Sequence, residues 1–126
     1  MKVPPIKVYI KAVRGMGRGV FAAKDIKKSE IIEIAPILIF NAGYNVIRHL
    51  DLSHYWFKVG KKYSRSWGIA LGQGSLYNHS FDRNAIWSIN RKKETITFKA
   101  LKNIKKDEQI FVDYGFPKEC YKGWAT

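Results

Sequence analysis

Short runs of β-branched and aromatic residues, separated by turn-forming residues, recur along the whole 126-residue chain. Such runs are typical of strands, and the Gly, Asn, Asp and Pro residues between them leave little room for long helices. The candidate strands are 6–13, 20–22, 30–40, 53–59, 63–70, 85–89, 95–100 and 109–112. Pro36 predicts an edge position or a bend in the third run, because proline cannot donate a hydrogen bond to a neighbouring strand. The pattern predicts a mostly β architecture of small antiparallel sheets with little helix.

The length of the chain predicts a single domain over residues 1–126, with a core at about 6–115. A hydrophobic share of 46% and an aromatic share of 14% are enough to build that core. No apolar run approaches the ~20 residues that a membrane helix needs. Pro4 and Pro5 interrupt the N-terminus where a secretory signal would require an apolar stretch. We therefore expect an intracellular protein that does not enter the membrane.

Two clusters of polar and small residues interrupt the apolar runs. The first, residues 71–85, has two glycines and five side chains that form hydrogen bonds and favour turns: Gly72, Gly74, Asn78, His79, Ser80, Asp82 and Asn84. The second, residues 111–115, directly follows the last candidate strand. Composition alone is compatible both with an ordinary polar loop and with a functional site. The presence of both clusters favours a site formed where the two loops meet.

Three short motifs in these regions occur in a fixed order. Residues 78–85 resemble the NHS-x-D-x-NA signature of SET-domain protein-lysine methyltransferases, and residues 113–115 resemble the DYG motif that ends the domain. Residues 17–22 resemble the G-x-G-V-F-A loop that opens it. Each motif alone is weakly specific, but the ordered triple within one small domain is specific.

The resemblance implies a fold, a reaction and a set of site residues. The chain end is expected to thread beneath the segment with the NHS motif as a pseudoknot, and residues 116–126 to close the site. Tyr114 would be catalytic, orienting the reactants and relaying a proton, and Tyr55 would lie near the channel for the substrate lysine. The methyl donor would be S-adenosyl-L-methionine. The cofactor-binding residues implied are Met16, Gly17, Arg18, Gly19, Asn78, His79, Tyr114 and Trp124, whereas Asp82 and Asn84 are expected to shape the turn.

The single cysteine, Cys120, excludes an intramolecular disulfide and a multi-cysteine zinc cluster. The spacing of His49, His54 and His79 fits no standard zinc pattern, so we expect no metal. Many SET proteins of eukaryotes have a zinc-binding cysteine cluster after the DYG motif. In this respect the chain resembles the minimal stand-alone members of viral and prokaryotic type.

The formal net charge of +13 raises the local concentration of polyanions around the chain. Non-specific DNA contact is one interpretation, and a lysine-rich coat that only confers solubility is the other. A turn motif that recurs at 24–30 and 102–108 contains two lysine clusters, which are the first candidates for a DNA surface: Lys24, Lys27, Lys28, Lys102, Lys105 and Lys106. In each copy, a buried isoleucine is expected to anchor the turn under the following strand.

The predicted reaction is methyl transfer to a protein lysine, with a histone or another basic, nucleic-acid-associated protein as the substrate. A local acidic groove around Glu30, Glu33, Asp82 and Asp113 could present such a substrate. The alternative is a non-catalytic chromatin-binding or nucleic-acid-binding module with a SET-like fold. The sequence leaves a homodimer open, and it does not reveal the target lysine or the number of methyl groups added.

Overall fold

Strands dominate the part of the chain that the computed structural model describes, which is residues 6–43, 55–61 and 64–115 without the side chain of Ser75. The strands are β1 Val8–Val13, β2 Gly17–Ala22, β3 Ile31–Asn41, β4 Trp56–Lys58, β5 Ser66–Ala70, β6 Asn78–His79, β7 Ala85–Asn90, β8 Thr95–Ala100 and β9 Gln109–Val112. One turn of 3₁₀ helix, Gly74–Leu76, lies between β5 and β6. The predicted mostly β fold with little helix is confirmed. Over the described residues, no helix is long and apolar enough to cross a membrane.

The larger sheet has five strands in the order β4-β5-β3-β8-β7, all antiparallel to their neighbours. The long strand β3 changes partner along its length, pairing with β8 up to Pro36 and with β5 from Ile37 onward. Pro36 therefore lies in a central strand and not at an edge, which corrects one of the two alternatives predicted for it. The missing N–H group of Pro36 is tolerated because this residue lies where β3 stops pairing with β8 and begins to pair with β5.

The smaller sheet has the order β1-β2-β9-β6. Its last strand in sequence, β9, lies between two earlier strands, antiparallel to β2 and parallel to β6. The parallel register pairs Asn78 with Phe111 and His79 with Val112. The chain end is thus threaded beside the Asn78-His79-Ser80 segment, which is the pseudoknot that the family resemblance implied. This threading brings the two polar clusters of the sequence together.

The two copies of the recurring turn pair with each other. Ile26 and Ile104 form a two-residue antiparallel bridge, with N···O distances of 2.7 and 2.8 Å, and each is only 1% exposed. Equivalent side chains then bond the backbone N–H groups of the opposite copy, Asp25 that of Lys106 and Asn103 that of Lys28. The buried isoleucine anchors are confirmed. We call residues 24–30 and 102–108 together the paired turns.

Candidate active site

Tyr114 is held in place at three points. Its backbone N–H donates to Nδ1 of His79 at 3.1 Å, and its hydroxyl donates to the backbone oxygen of Tyr77. Its ring packs edge-on against Phe57, with the ring centroids 5.3 Å apart. Because the backbone, the hydroxyl and the ring are each restrained, the side chain is fixed in one orientation at the junction of the two polar clusters.

The hydroxyl of Tyr114 keeps its proton near neutral pH. Burial, and then the neighbouring Tyr55, raise the pKa of this phenol well above its ordinary value of 10.0. Its proton is directed to the Tyr77 carbonyl, so a bound reactant would contact this oxygen through a lone pair. The group is therefore suited to orienting a reactant by accepting contacts from it, and poorly suited to acting as a phenolate base.

Tyr77 is a site residue that the sequence reasoning missed. Its ring is fully buried and stacks on Phe98 at 4.3 Å between centroids. Its hydroxyl donates to Oε1 of Glu33 at 2.7 Å, and Oε2 of the same carboxylate accepts from the Gln73 N–H at 3.2 Å. Burial and the Glu33 charge raise the pKa of Tyr77 far above its ordinary value, so it also stays protonated. Position next to the Asn78-His79-Ser80 motif was the only sequence signal for this role.

His79 fastens the threaded segment from inside. Its side chain is buried, and Nδ1 accepts the N–H of Tyr114, which requires that this nitrogen be unprotonated. Burial lowers the pKa of His79, while Asp113 acts weakly in the opposite direction. Nδ1 lies 3.7 Å from Oδ1 of Asp113, but that oxygen accepts the Gly115 N–H at 2.9 Å. We therefore read His79 as a neutral hydrogen-bond acceptor and not as one half of an ion pair.

Tyr55 and β4 form the wall next to Tyr114. Tyr55 is 43% exposed and close enough to Tyr114 to influence its pKa. Three residues further on, the Lys58 N–H donates to the Tyr114 carbonyl at 3.0 Å. The ammonium of Lys58 is buried beneath the next turn, where it donates to the Val59 carbonyl at 2.9 Å and lies 4.8 Å from the ring centroid of Trp67. Tyr55 and Tyr114 therefore lie near each other, and the position of Tyr55 at a lysine channel stays a prediction.

Two further aromatic residues complete this wall and were not predicted as site residues. Phe57 contacts Tyr114 on one side and Trp87 on the other, with 5.3 Å between centroids in each pair. The indole N–H of Trp87 donates to the Asp113 carbonyl. A surface pocket of about 230 Å³ opens beside them, lined by Arg83, Ile86, Trp87 and Asp113. Aromatic residues are dense in this part of the sequence, but such density is equally typical of a hydrophobic core.

The glycine loop and Asn78 meet at the other end of the site. The Asn78 amide nitrogen donates to the Arg18 carbonyl at 3.2 Å and to Oε1 of Gln109 at 2.8 Å. A Cβ atom on Gly19 would lie 2.8 Å from that nitrogen and 2.6 Å from Gln109 Oε1. The absence of a side chain at Gly19 therefore lets Asn78 and Gln109 approach closely, and its contact with the cofactor stays a prediction. Gly17, in contrast, has a positive φ of 77° and open space where a side chain would be.

Asn84 has a different role from the expected one of shaping its own turn. It is 9% exposed, and its amide group bonds the backbone of β9 at two places. Nδ2 donates to the Gln109 carbonyl at 2.9 Å, and Oδ1 accepts the Phe111 N–H at 2.8 Å. The side chain thus bonds β9 as a neighbouring strand would.

The remaining sequence predictions have mixed outcomes. Met16 lies in the β1–β2 turn next to Gly17, where its N–H donates to Val13 at 3.1 Å. Trp124 lies outside the described residues. Of the proposed acidic groove, Glu30 is paired with Lys7 at 2.8 Å and both Glu33 oxygens are bonded to internal groups, so the groove itself stays a prediction.

The fold and the site together define the class of protein. A family model for the SET domain matches residues 17–115, and the chain belongs to this family. It is a protein-lysine methyltransferase. Members of the family use S-adenosyl-L-methionine as the methyl donor.

The chain is similar to a curated protein of Schizosaccharomyces pombe, the histone-lysine N-methyltransferase specific for lysine 37 of histone H3. The two are 31% identical over 122 residues, which cover 91% of this chain and 79% of the relative. A crystal structure of a proposed histone methyltransferase of Plasmodium falciparum has 32% identity and a TM-score of 0.69, and the match covers 92% of this chain and 99% of that one. Both organisms are eukaryotes, so the expected likeness to viral and prokaryotic members stays a prediction.

A third comparison concerns the fold alone. The Polycomb Repressive Complex 2 of Chaetomium thermophilum, in a humanized mutant form bound to the inhibitor GSK126, contains a chain that is 23% identical, with a TM-score of 0.65. The match covers 93% of this chain but only 16% of that much longer one. The SET fold is thus retained in a chain with little sequence identity and many additional residues.

Proposed function

We propose that the chain transfers a methyl group from S-adenosyl-L-methionine to the side-chain amine of a lysine in a basic, nucleic-acid-associated protein such as a histone. The observation that supports the assignment of the site is the restraint of Tyr114 by His79 and by the Tyr77 carbonyl. A non-catalytic module would have no chemical need for a buried phenol held so firmly beside an aromatic wall.

The residues around Asn78 fit the polar end of the cofactor, which when bound supplies an electrophilic methyl group. The amide nitrogen of Asn78 already donates to Arg18 and Gln109. Its amide oxygen is therefore the atom that would accept a hydrogen bond from the cofactor ammonium. β6 is an edge strand among the described residues, so its outer backbone edge can bond a ligand. Gly17 offers open space at the loop, and Met16, Arg18 and Trp124 are the further candidates for cofactor contact.

The aromatic wall fits the requirements of the nucleophile. A lysine amine normally has a pKa of about 10.4, and only its neutral form has a lone pair to donate. Desolvation against Tyr55 and Trp87 would lower that pKa, so no dedicated base is required. The Tyr114 hydroxyl would hold the entering nitrogen and the methyl carbon in line, and such near-attack positioning supplies up to about 7 to 11 kcal/mol of a barrier.

The histone-like substrate is proposed from two observations. The S. pombe relative is named for lysine 37 of histone H3. The charge of +13 favours encounters with nucleic acid, on which basic proteins are bound inside the cell.

Replacing Tyr114 with Phe tests the assignment of the site. We expect turnover to fall by about 10²-fold, the scale of loss when reactants are misplaced by about 1 Å. Cofactor affinity should change little because the ring remains packed on Phe57, and stability should fall by about 1 kcal/mol for the lost bond to the Tyr77 carbonyl. The measurement is mass spectrometry of histones incubated with labelled cofactor, together with calorimetry of cofactor binding. Unchanged turnover in the Phe variant would place the catalytic group elsewhere.

A further inference from the structure

Two exposed turns of the larger sheet meet at one corner of the molecule. One is the β4–β5 turn, with Lys61 and Arg65, and the other is the β7–β8 tip, with Arg91, Lys92 and Lys93. All five side chains are exposed. We call this set of five residues the basic corner.

The position of the Arg91 side chain shows that the β7–β8 tip lies against the β4–β5 turn. A Cβ atom on Gly60 would lie 3.1 Å from a terminal nitrogen of Arg91. In addition, burial and then the Arg91 charge lower the pKa of Lys58, so the guanidinium lies near the end of β4. The two turns are 30 positions apart in sequence, counted from Lys61 to Arg91, and only the fold brings them into contact.

The basic corner has a greater excess of positive charge than the lysine clusters singled out by the sequence. It combines five cations with one carboxylate, Glu94. The paired turns combine six lysines with four carboxylates, which are Asp25, Glu30, Asp107 and Glu108. Because carboxylates repel phosphates, the basic corner is the better surface for a polyanion.

The basic corner lies at the far end of the same strand that lines the site. Tyr55 directly precedes β4 and Gly60 follows it closely, so about 17 Å separate the two ends at the rise of an extended chain. A polyanion at the corner would therefore lie within reach of a polypeptide that enters the aromatic wall, without blocking it.

We propose that the basic corner binds the phosphate backbone of double-stranded DNA and so brings the site to basic proteins on the same duplex. The second half of this inference rests on the proposed function, whereas the first half does not. A chain of +13 repels a free basic polypeptide at long range, and a duplex between the two removes that repulsion. The evenly spaced charges of a duplex match a cluster of cations without requiring base contacts.

The test compares two triple charge reversals of equal size. One variant has Arg91→Glu, Lys92→Glu and Lys93→Glu, and the matched control has Lys24→Glu, Lys27→Glu and Lys28→Glu in the paired turns. Binding of a short duplex of random sequence is measured at several salt concentrations without cofactor. For the corner variant we expect weaker binding and a log-log salt slope lower by about 2.7, since each lost phosphate contact removes about 0.9. We expect the control to keep most of the slope.

Three outcomes would overturn the proposal. They are equal loss of DNA binding in both variants, no DNA binding by the original chain at low salt, and binding to an acidic polypeptide such as polyglutamate in place of DNA. Thermal unfolding of both variants shows that they are folded. Since DNA binding is read without cofactor, a failure of methylation would contradict the proposed function and leave this measurement intact.

Methylation of a basic protein on DNA and of the same protein alone tests the second half. We expect DNA to increase the rate for the original chain and the control, and to have a smaller effect on the corner variant. Equal stimulation in the corner variant would contradict the role of the corner in presenting substrate.

Discussion

At the scale of single residues, the site depends on the phenol of Tyr114, which would accept contacts from a reactant, and on Tyr77, which positions it. Glu33 accepts the Tyr77 hydroxyl at 2.7 Å, and the carbonyl of the same Tyr77 accepts a hydrogen bond from the Tyr114 hydroxyl. A change at Glu33 would therefore reach Tyr114 through the backbone of Tyr77. We regard Glu33 and Tyr77 as positioning residues and Tyr114 as the group that would touch the reactants.

Removing the Tyr77 hydroxyl should reduce turnover more than binding. In Tyr77→Phe we expect a stability loss of about 1 kcal/mol, as for one hydrogen bond, and a lower kcat with little change in KM. In the double variant, Glu33→Gln should lower stability and kcat by less than it does alone. The reason is that the Tyr77 hydroxyl and the Glu33 carboxylate share one hydrogen bond. Steady-state kinetics and denaturant unfolding measure these effects.

Tyr9→Phe is the matched control for this prediction. It removes another hydroxyl that donates to a carboxylate, that of Asp107 at 2.8 Å, but on the outer strand β1. An equal fall of kcat in both variants would refute the positioning role of Tyr77.

His79 should make the fold sensitive to mild acid. Its folded-state pKa is lowered from 6.5, so between that lowered value and about pH 6.5 the unfolded chain binds a proton that the folded chain does not. Stability should therefore be constant with respect to His79 above pH 6.5 and decrease as the pH falls below it. Protonation also removes the acceptor for the Tyr114 N–H.

The free energy of unfolding measured between pH 7.5 and 5.5 checks the His79 prediction. His79→Asn should be less stable than the original chain at pH 7.5 but lose less stability on acidification. If the two pH slopes are identical, another group is responsible for the acid sensitivity.

At the scale of secondary structure, the threaded strand β9 is fastened by a side chain as well as by strands. Asn84 bonds the backbone of β9 at Gln109 and Phe111. Only two residues of β6 pair with β9. The carboxamide of Asn84 therefore adds two hydrogen bonds to this short pairing. This device holds the segment that leads directly into Tyr114.

Asn84→Ala should destabilise the fold strongly. It leaves the partly buried Phe111 N–H and Gln109 carbonyl without their partner, at up to about 1 to 3 kcal/mol for each group. Asn90→Ala, which removes an exposed bond to the Lys93 N–H, is the control and should cost far less. Denaturant unfolding of both variants measures the difference, and similar losses would show that Asn84 does not fasten β9.

At the scale of the whole molecule, the positive charge is unevenly distributed over the surface. We also expect that the protein binds no metal. In the part of the chain that the structure describes, no cluster of three or more His, Cys, Asp or Glu side chains could hold a metal ion. We expect cofactor binding to be the same with and without a chelator, because a single cysteine cannot build a zinc cluster. Calorimetry in both conditions checks this, and loss of binding with chelator would reveal a metal.

Local pattern was enough to predict most of the described strands and the residues of the motifs, but it missed the short strand β6 and the first half of β2. β-branched and aromatic runs bounded by turn residues predicted the hairpin of β7 and β8 and the final strand β9, because strand formation and turn preference depend mainly on neighbouring residues. The motif containing Asn78 and His79 and the one containing Tyr114 were recognisable in order. The recurring turn also indicated its buried isoleucines.

Contacts between distant residues were decided only by the tertiary structure. Glu33 and Tyr77 are 44 positions apart, and no period in the sequence links them. The close approach of Gly19 to Asn78 and the bonds from Asn84 to β9 both require that the chain end be inserted between β2 and β6. The basic corner likewise exists because two turns of different hairpins meet. Propensity acts over a few residues, whereas these contacts follow from strand order, which the local pattern of a chain does not specify.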